Sequence, residues 1–465
     1  MGIMCRQISQ AYDAIHIYNN KVRKMIMMTP TNKCSLAILL ALITTAVSTQ
    51  AWAAGFALIE FSGSGMGNAF AGGAASAEDA STVQFNPAGM SLIEKDQVVG
   101  VLHLITPNAA FSSNESTLAD GLTPLSGNSN DGGRNALVPN FYWVKEINDK
   151  MKFGLGVNTP FGLATQYDDT WVGRYHAVES DVKTVNINPS ISYRIDDNHT
   201  LGLGVSAQYA HVTLSSAIDF GTLAGAPQQH DGFATLTADN WGYGWNIGWL
   251  YEFSDETRLG AAYRSEVKQD TKGNADFMVP ESVAFVTSSG AFVDTGLTAD
   301  ITLPDSLSVS MAHQYNTEFE LLADITWTGW SDFEELRIVY NNPLQPNSVT
   351  TENWDDSLRY SVGINYQMDE KLKLRGGLAY DASPIPSAVL RTPRLPSDKR
   401  IWLAFGAQYK WDTNLTLDVG YTHLFISNTN INNTFESSIP ALAATIKGEY
   451  AASVDILSTQ LTWTF

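Results

Sequence analysis

Beyond residue 53 the chain contains no apolar run long enough for a membrane-crossing helix, which needs about 20 residues. Apolar and polar residues alternate instead. Leu358, Tyr360, Val362, Ile364 and Tyr366 alternate with Arg359, Ser361, Gly363, Asn365 and Gln367. Val185, Ile187, Ile191 and Tyr193 alternate with Asn186, Asn188, Ser190 and Ser192, and Leu457, Leu461, Trp463 and Phe465 with Ser458, Gln460, Thr462 and Thr464. A period of two puts one residue kind on each face of a strand.

A soluble antiparallel sheet with one wet face would show the same alternation. Two features favour a barrel in a membrane. Tyr, Trp and Phe cap the apolar faces, as in interfacial girdles. The connections also alternate strictly between short and long. Short polar turns fall at Asn148-Asp149, Asp196-Asp197, Asp255-Glu256, Asn316-Thr317, Asp369-Glu370 and Asp412-Thr413. Long segments lie near 112–137, 159–183, 215–240, 272–300, 331–355, 383–398 and 429–450. Six turns join twelve strands, and one strand at each end makes fourteen, an even number as bacterial barrels have. The expected fold is all-β: a 14-stranded antiparallel transmembrane β-barrel over residues 96–465.

Residues 1–53 read as a removable leader. Lys21, Arg23, Lys24 and Lys33 precede the apolar run 35–47, and Ala51-Trp52-Ala53 supplies an A-x-A cleavage site. Met25, Met27 or Met28 would each start a leader of ordinary length. Both cysteines, Cys5 and Cys34, leave with it, so the exported chain is expected to have no disulfide. The net charge of −20 excludes a nucleic-acid partner, which would require a basic face.

Between 54 and 95 the alternation stops and small residues dominate, AGFALIEFSGSGMGNAFAGGAASAEDASTVQFNPAGM. Such a segment ahead of a wide barrel is most simply a plug, or hatch, folded into the lumen. This stretch resembles the hatch of the FadL family, outer-membrane transporters of long-chain fatty acids and other hydrophobic compounds. The resemblance rests on Ala54-Gly55-Phe56, Glu60, Gly65-x-Gly67, Ala69-Phe70, Asp79-Ala80 and Asn86-Pro87-Ala88. Thr159 to Leu163, Trp171-x-Gly173-Arg174-Tyr175, Tyr263 to Val267, and 381–386 with 398–402 extend it over the rest of the chain.

The resemblance implies a fourteen-stranded barrel around a hatch, in the outer membrane of a Gram-negative bacterium. It implies passive uptake of a hydrophobic ligand, long-chain fatty acid first and aromatic hydrocarbon second, with release sideways into the membrane. It also implies that Ala54, Gly55 and Phe56 reach the ligand pocket, and that Asn86, Pro87 and Ala88 anchor the hatch at the wall near the exit. Lipid, lipopolysaccharide and the barrel-assembly machinery are the expected partners, the aromatic C-terminal strand resembling the assembly signal. A single copy is expected to suffice.

The residues add their own constraints. Alternation turns Arg194, Arg258, Arg264, Lys268, Glu320, Asp324, Arg359, Lys373, Arg375, Asp381, Arg400 and Asp418 into the lumen. Most would pair with one another or with the hatch. One or two bases among Arg264, Arg359, Lys373 and Arg375 would hold a carboxylate. Pro189 in the fourth strand, and glycines such as Gly202 and Gly204, mark places where pairing can be interrupted. No catalytic, metal or cofactor site is expected: the eight histidines are scattered, and Ser64 lacks the glycine of a nucleophile elbow. A general porin would lack the hatch, and a barrel-embedded lipid enzyme would need a Ser/His pair at one rim.

Overall fold

The computed structural model describes residues 55–465; the expected leader, its cleavage site and Ala54 lie outside the described residues. Fourteen strands wind antiparallel into a closed wall. They are β1 (Gln97–Ser113), β2 (Ala136–Asn148), β3 (Met151–Asn158), β4 (Glu179–Arg194), β5 (His199–Asp219) and β6 (Asp231–Ser254). The chain continues through β7 (Thr257–Arg264, then Val267–Met278), β8 (Thr295–Leu303, then Ser306–Gln314), β9 (Phe319–Thr328) and β10 (Ser357–Gln367). It ends with β11 (Leu372–Asp381), β12 (Arg400–Lys410), β13 (Leu415–Ile426) and β14 (Ala444–Thr464). Closure comes from β1, which pairs with β14 from Gln97↔Thr464 to Ser113↔Gly448 and with β2 on its other side. A closed wall leaves no row of unpaired backbone groups facing lipid.

The wall is inside out relative to a soluble protein. In β14, Leu457, Leu461 and Trp463 are exposed, while Ser458, Gln460 and Thr462 are buried. Apolar out and polar in is what a lipid-bathed barrel demands. Five of the six short turns share a device: a side-chain oxygen of Asn148, Asp196, Asn316, Asp369 or Asp412 accepts from backbone N–H groups two and three residues on. Such Asx turns explain why Asn and Asp occupy them.

One inward assignment fails. Lys268 points outward, its side chain 70% exposed. β7 breaks at Ser265-Glu266, and the parity of its faces flips there, so Val267 rather than Lys268 turns inward.

The hatch fills the lumen with three single-turn helices, α1 (Gly63–Met66), α2 (Gly73–Ser76) and α3 (Thr82–Phe85), and a 3-10 turn at Pro87–Leu92. Backbone lies almost directly on wall glycines. A Cβ on Gly202 would sit 2.3 Å from Ala88 N, one on Gly260 1.9 Å from Ala74 O, and one on Gly377 2.2 Å from Asn68 O. Ala69 and Phe70 are both held at φ 54, a left-handed conformation costing L-residues about 1–3 kcal/mol each.

Candidate functional site: two cavities and a partition

Two cavities lie along the lumen. The inner one, about 1170 Å³ counting its open part, is floored by hatch residues 57–61 with Gln84, Phe85 and Pro87 and walled by Phe161, Trp330 and Trp402. Arg264, Arg359, Asp381 and Arg400 also border it. The outer one, about 1260 Å³ counting its mouth, lies among the long loops and is lined by Leu214, Ile218, Phe277, Leu336, Ile338 and Tyr340. Both linings mix apolar side chains with polar and charged ones, which suits an amphiphilic ligand.

Phe56 stands beside the partition between them. Its ring lies 4.9 Å from Trp330, 6.0 Å from Phe161 and Trp354, and 6.1 Å from Phe333, all edge to face. Each such pair contributes about 0.5–1.5 kcal/mol beyond burial. Gly55 is the only residue type that fits before it, since a Cβ there would meet Trp330 at 2.5 Å and Trp354 at 2.6 Å. Three of the four cage rings come from the loop and hairpin around 330–354, where alternation gives no guidance. Leu395 and Leu336 pack against the same cluster, and Leu336 also lines the outer cavity.

The segment 392–395 completes the partition. Tyr167 OH donates to Pro393 O at 2.9 Å, Thr165 Oγ1 to Arg394 O at 3.2 Å, and Trp354 Nε1 to Glu352 Oε2 at 2.8 Å. Burial pushes the Glu352 carboxyl up to about 8, although Trp354 and Arg394 oppose the shift. Burial also lowers nearby His176 to about 4, so that side chain is neutral at pH 7.

The four candidate bases divide into two pairs. Arg359 borders the inner cavity with its guanidinium 5.0 Å over the Trp402 ring. Its Nη2 donates to Ala69 O at 2.6 Å, while Nε and Nη1 have no partner among the described residues. The one bond it makes braces the left-handed Ala69-Phe70 stretch of the hatch. Arg264 borders the same cavity, but its Nη2 is spent on Gln84 O and Gln84 Oε1, both at 2.9 Å. Lys373 and Arg375 lie elsewhere. Lys373 Nζ and Arg375 Nη2 each reach Glu78 of the hatch at 2.7 Å, and Arg375 Nη1 reaches Asp418 at 2.6 Å. Asn365 links that cluster to Glu320, and Glu320 to Arg258.

Asn86 is fully buried and saturated. Its Nδ2 donates to Ala74 O at 2.7 Å and Trp249 O at 3.0 Å, and its Oδ1 accepts from Ala88 N at 3.0 Å. Pro87 and Ala88 rest on Gly202 of β5, and Asn86 on Gly248 of β6. Close by, pairing between β4 and β5 is interrupted: Ile187↔Ala207 is followed only by Ser190↔Gly204. Pro189 has no N–H to give, and Asn188 turns its Nδ2 to Val205 O and Asn246 Oδ1, both at 2.8 Å. The break flagged by Pro189 and Gly204 thus falls between the fourth and fifth strands. Among the described residues no cluster of three or more His, Cys, Asp or Glu could hold a metal.

Known proteins carry the same arrangement of wall and hatch. A crystal structure of a Pseudomonas aeruginosa FadL homologue superposes with a TM-score of 0.82 at 24% identity, covering 89% of this chain and all of that one. The Pseudomonas putida toluene transporter TodX superposes with a TM-score of 0.61 at 15% identity, over 83% of this chain and 94% of the other. In sequence, the long-chain fatty acid transport protein of Salmonella typhi is 32% identical over 429 residues, 88% of this chain and 95% of that protein. Outer membrane protein P1 of Haemophilus influenzae is 32% identical over 80% of this chain and 86% of its own length. Residues 44–465 match the family described as outer membrane protein transport protein (OMPP1/FadL/TodX), and the chain belongs to that family.

Proposed function

We propose that this outer-membrane barrel takes up long-chain fatty acids passively, through a hatch-gated lumen with sideways release into the membrane. Arg359 carries the reading: a guanidinium that borders the inner cavity, with two buried donors that have no hydrogen-bond partner among the described residues, matches an acyl chain ending in a carboxylate. The Salmonella relative bears the name of such a transporter, which supports the same substrate class. Phe56 and its aromatic cage form the gate between the cavities. Asn86-Pro87-Ala88 anchors the hatch beside the β4–β5 break, which supports that break as the exit into lipid. Closure of β1 on β14 leaves no sheet edge to share, which supports a monomer bathed in lipid and lipopolysaccharide and inserted by the barrel-assembly machinery.

An aromatic hydrocarbon is the second reading, since the toluene transporter TodX shares the fold. The charge of the ligand separates the two. A C16 acid and the C16 alcohol are titrated against the wild type and Arg359→Ala. For a fatty-acid site, the acid weakens by about 1.5–3 kcal/mol, the worth of a hydrogen bond to a charged group, and the alcohol barely changes. Equal affinities of acid and alcohol in both proteins would point to the hydrocarbon instead.

A further inference from the structure

Arg394 is the only arginine or lysine lining the outer cavity among the described residues. It stands on the partition segment, next in sequence to Leu395, which packs on the cluster around Phe56. Its Nη1 donates to Glu179 O at 3.1 Å and Ser180 Oγ at 2.9 Å, which fixes the guanidinium plane. Its Nε and Nη2 donate to no described residue, and the side chain is half-buried, open to the cavity.

The neighbouring acids do not cancel it. Asp219 is occupied by Thr222 N at 3.0 Å, Thr222 Oγ1 at 2.6 Å and Gln228 N at 2.9 Å. Glu436 accepts from Thr351 N at 3.1 Å. Glu352, within electrostatic range, keeps its proton at neutral pH. A fixed cation with two open donors, in a cavity that also offers the apolar side chains of Leu214, Ile218, Leu336 and Ile338, is a carboxylate receptor by chemistry.

We propose that Arg394 is a specificity-determining residue, holding the carboxylate of an entering fatty acid in the outer cavity before the acid reaches Arg359. The proposal rests on fatty acids being the ligand. It gives the lumen two successive selections for charge, with the Phe56 cage between them. A hydrocarbon without a headgroup would gain nothing from the first.

The test reads the outer cavity alone. Ser438 lines that cavity and is exposed, and residues 55–465 contain no cysteine, so Ser438→Cys accepts a single environment-sensitive fluorophore. The labelled protein in lipid nanodiscs is titrated with hexadecanoic acid and hexadecanol. Arg394→Gln should weaken the acid's signal about tenfold, equivalent to about 1.4 kcal/mol, and leave the alcohol's unchanged. Arg394→Lys should recover part of the loss, and Arg359→Gln should leave this signal as it was. Equal weakening of acid and alcohol would mean that Arg394 merely shapes the wall, and would overturn the proposal. So would an unchanged acid signal in Arg394→Gln. If Arg359→Gln then still loses acid selectivity in total binding, the fatty-acid reading survives and only Arg394 falls; if neither variant discriminates, both fall.

Discussion

The lumen handles charge in opposite ways on the two faces of the hatch. Toward the inner cavity, Arg359 has two donors without a protein partner. On the other face, Glu78, Lys373, Arg375 and Asp418 satisfy one another at 2.6–2.7 Å. The bases of both sets, Arg359 on β10 and Lys373 and Arg375 on β11, came from the same inward parity. What separates them is the partner across the gap: a carboxylate binds the bases of β11 directly, whereas Arg359 hydrogen-bonds only a backbone carbonyl, with Asp324, Asp381 and Glu60 in electrostatic range but not hydrogen-bonded to it. A barrel base is therefore a fastener where the hatch answers it and a receptor where the hatch does not.

The largest test of that contrast is Glu78→Ala. It strands Lys373 and leaves Arg375, whose side chain is 1% exposed, with Asp418 alone, and breaking a buried pair in this way costs about 3–5 kcal/mol. The hatch should loosen while the wall, whose ladder does not involve it, stays folded. Planar-bilayer conductance should rise and limited proteolysis should cut within 55–95; a hatch as closed as the wild type's would show that the ion pairs fasten nothing. Next comes Arg359→Ala, expected to cost the acid about 1.5–3 kcal/mol and the alcohol little. Arg375→Ala serves as its counterpart, shifting both ligands together. If Arg375→Ala selects against the acid and Arg359→Ala does not, the assignment of fastener and receptor is reversed.

Smaller effects follow at the gate. Asn86→Leu removes three hydrogen bonds and presses on Gly248, where overpacking costs about 1–3 kcal/mol. Deleting residues 54–56 removes Phe56 from its cage. Both should slow fatty-acid uptake in cells with heat-resistance of the barrel unchanged; uptake at the wild-type rate in both would take these residues out of the mechanism. A last effect depends on pH. The folded outer loop holds the Glu352 proton up to about 8, against an ordinary 4.5, so the folded state binds it more tightly than the unfolded chain. Stability of that loop is full below about pH 4.5 and falls as pH rises to about 8. Hydrogen exchange in 333–354, corrected for its intrinsic pH dependence, should report this, and Glu352→Gln should flatten it.

The wall was legible because lipid on one side and a wet lumen on the other write a period of two into every strand. Fourteen strands and the long and short connections between them follow from it, and the break near Pro189 from a proline that has no N–H to pair. Parity fails where a strand breaks, as Lys268 shows. It also says nothing about the far partner, so Arg359 and Arg375 looked alike: only the fold brings Glu78 to one and not to the other. Trp330, Trp354 and Arg394 lie in loops, where no period marks which side chain turns inward, and the meeting of the two tryptophans with Phe56 depends on contacts hundreds of residues apart.

The seating of hatch on glycine has a consequence for the order of biogenesis. At Gly202, Gly260 and Gly377 the two backbones leave no room for even a methyl group, so the hatch has no clearance for sliding into a finished cylinder. It precedes β1 in the chain, while β14, which seals the seam with β1, comes last. The staves must therefore be gathered around the bung, with the seam shut only once the bung is seated.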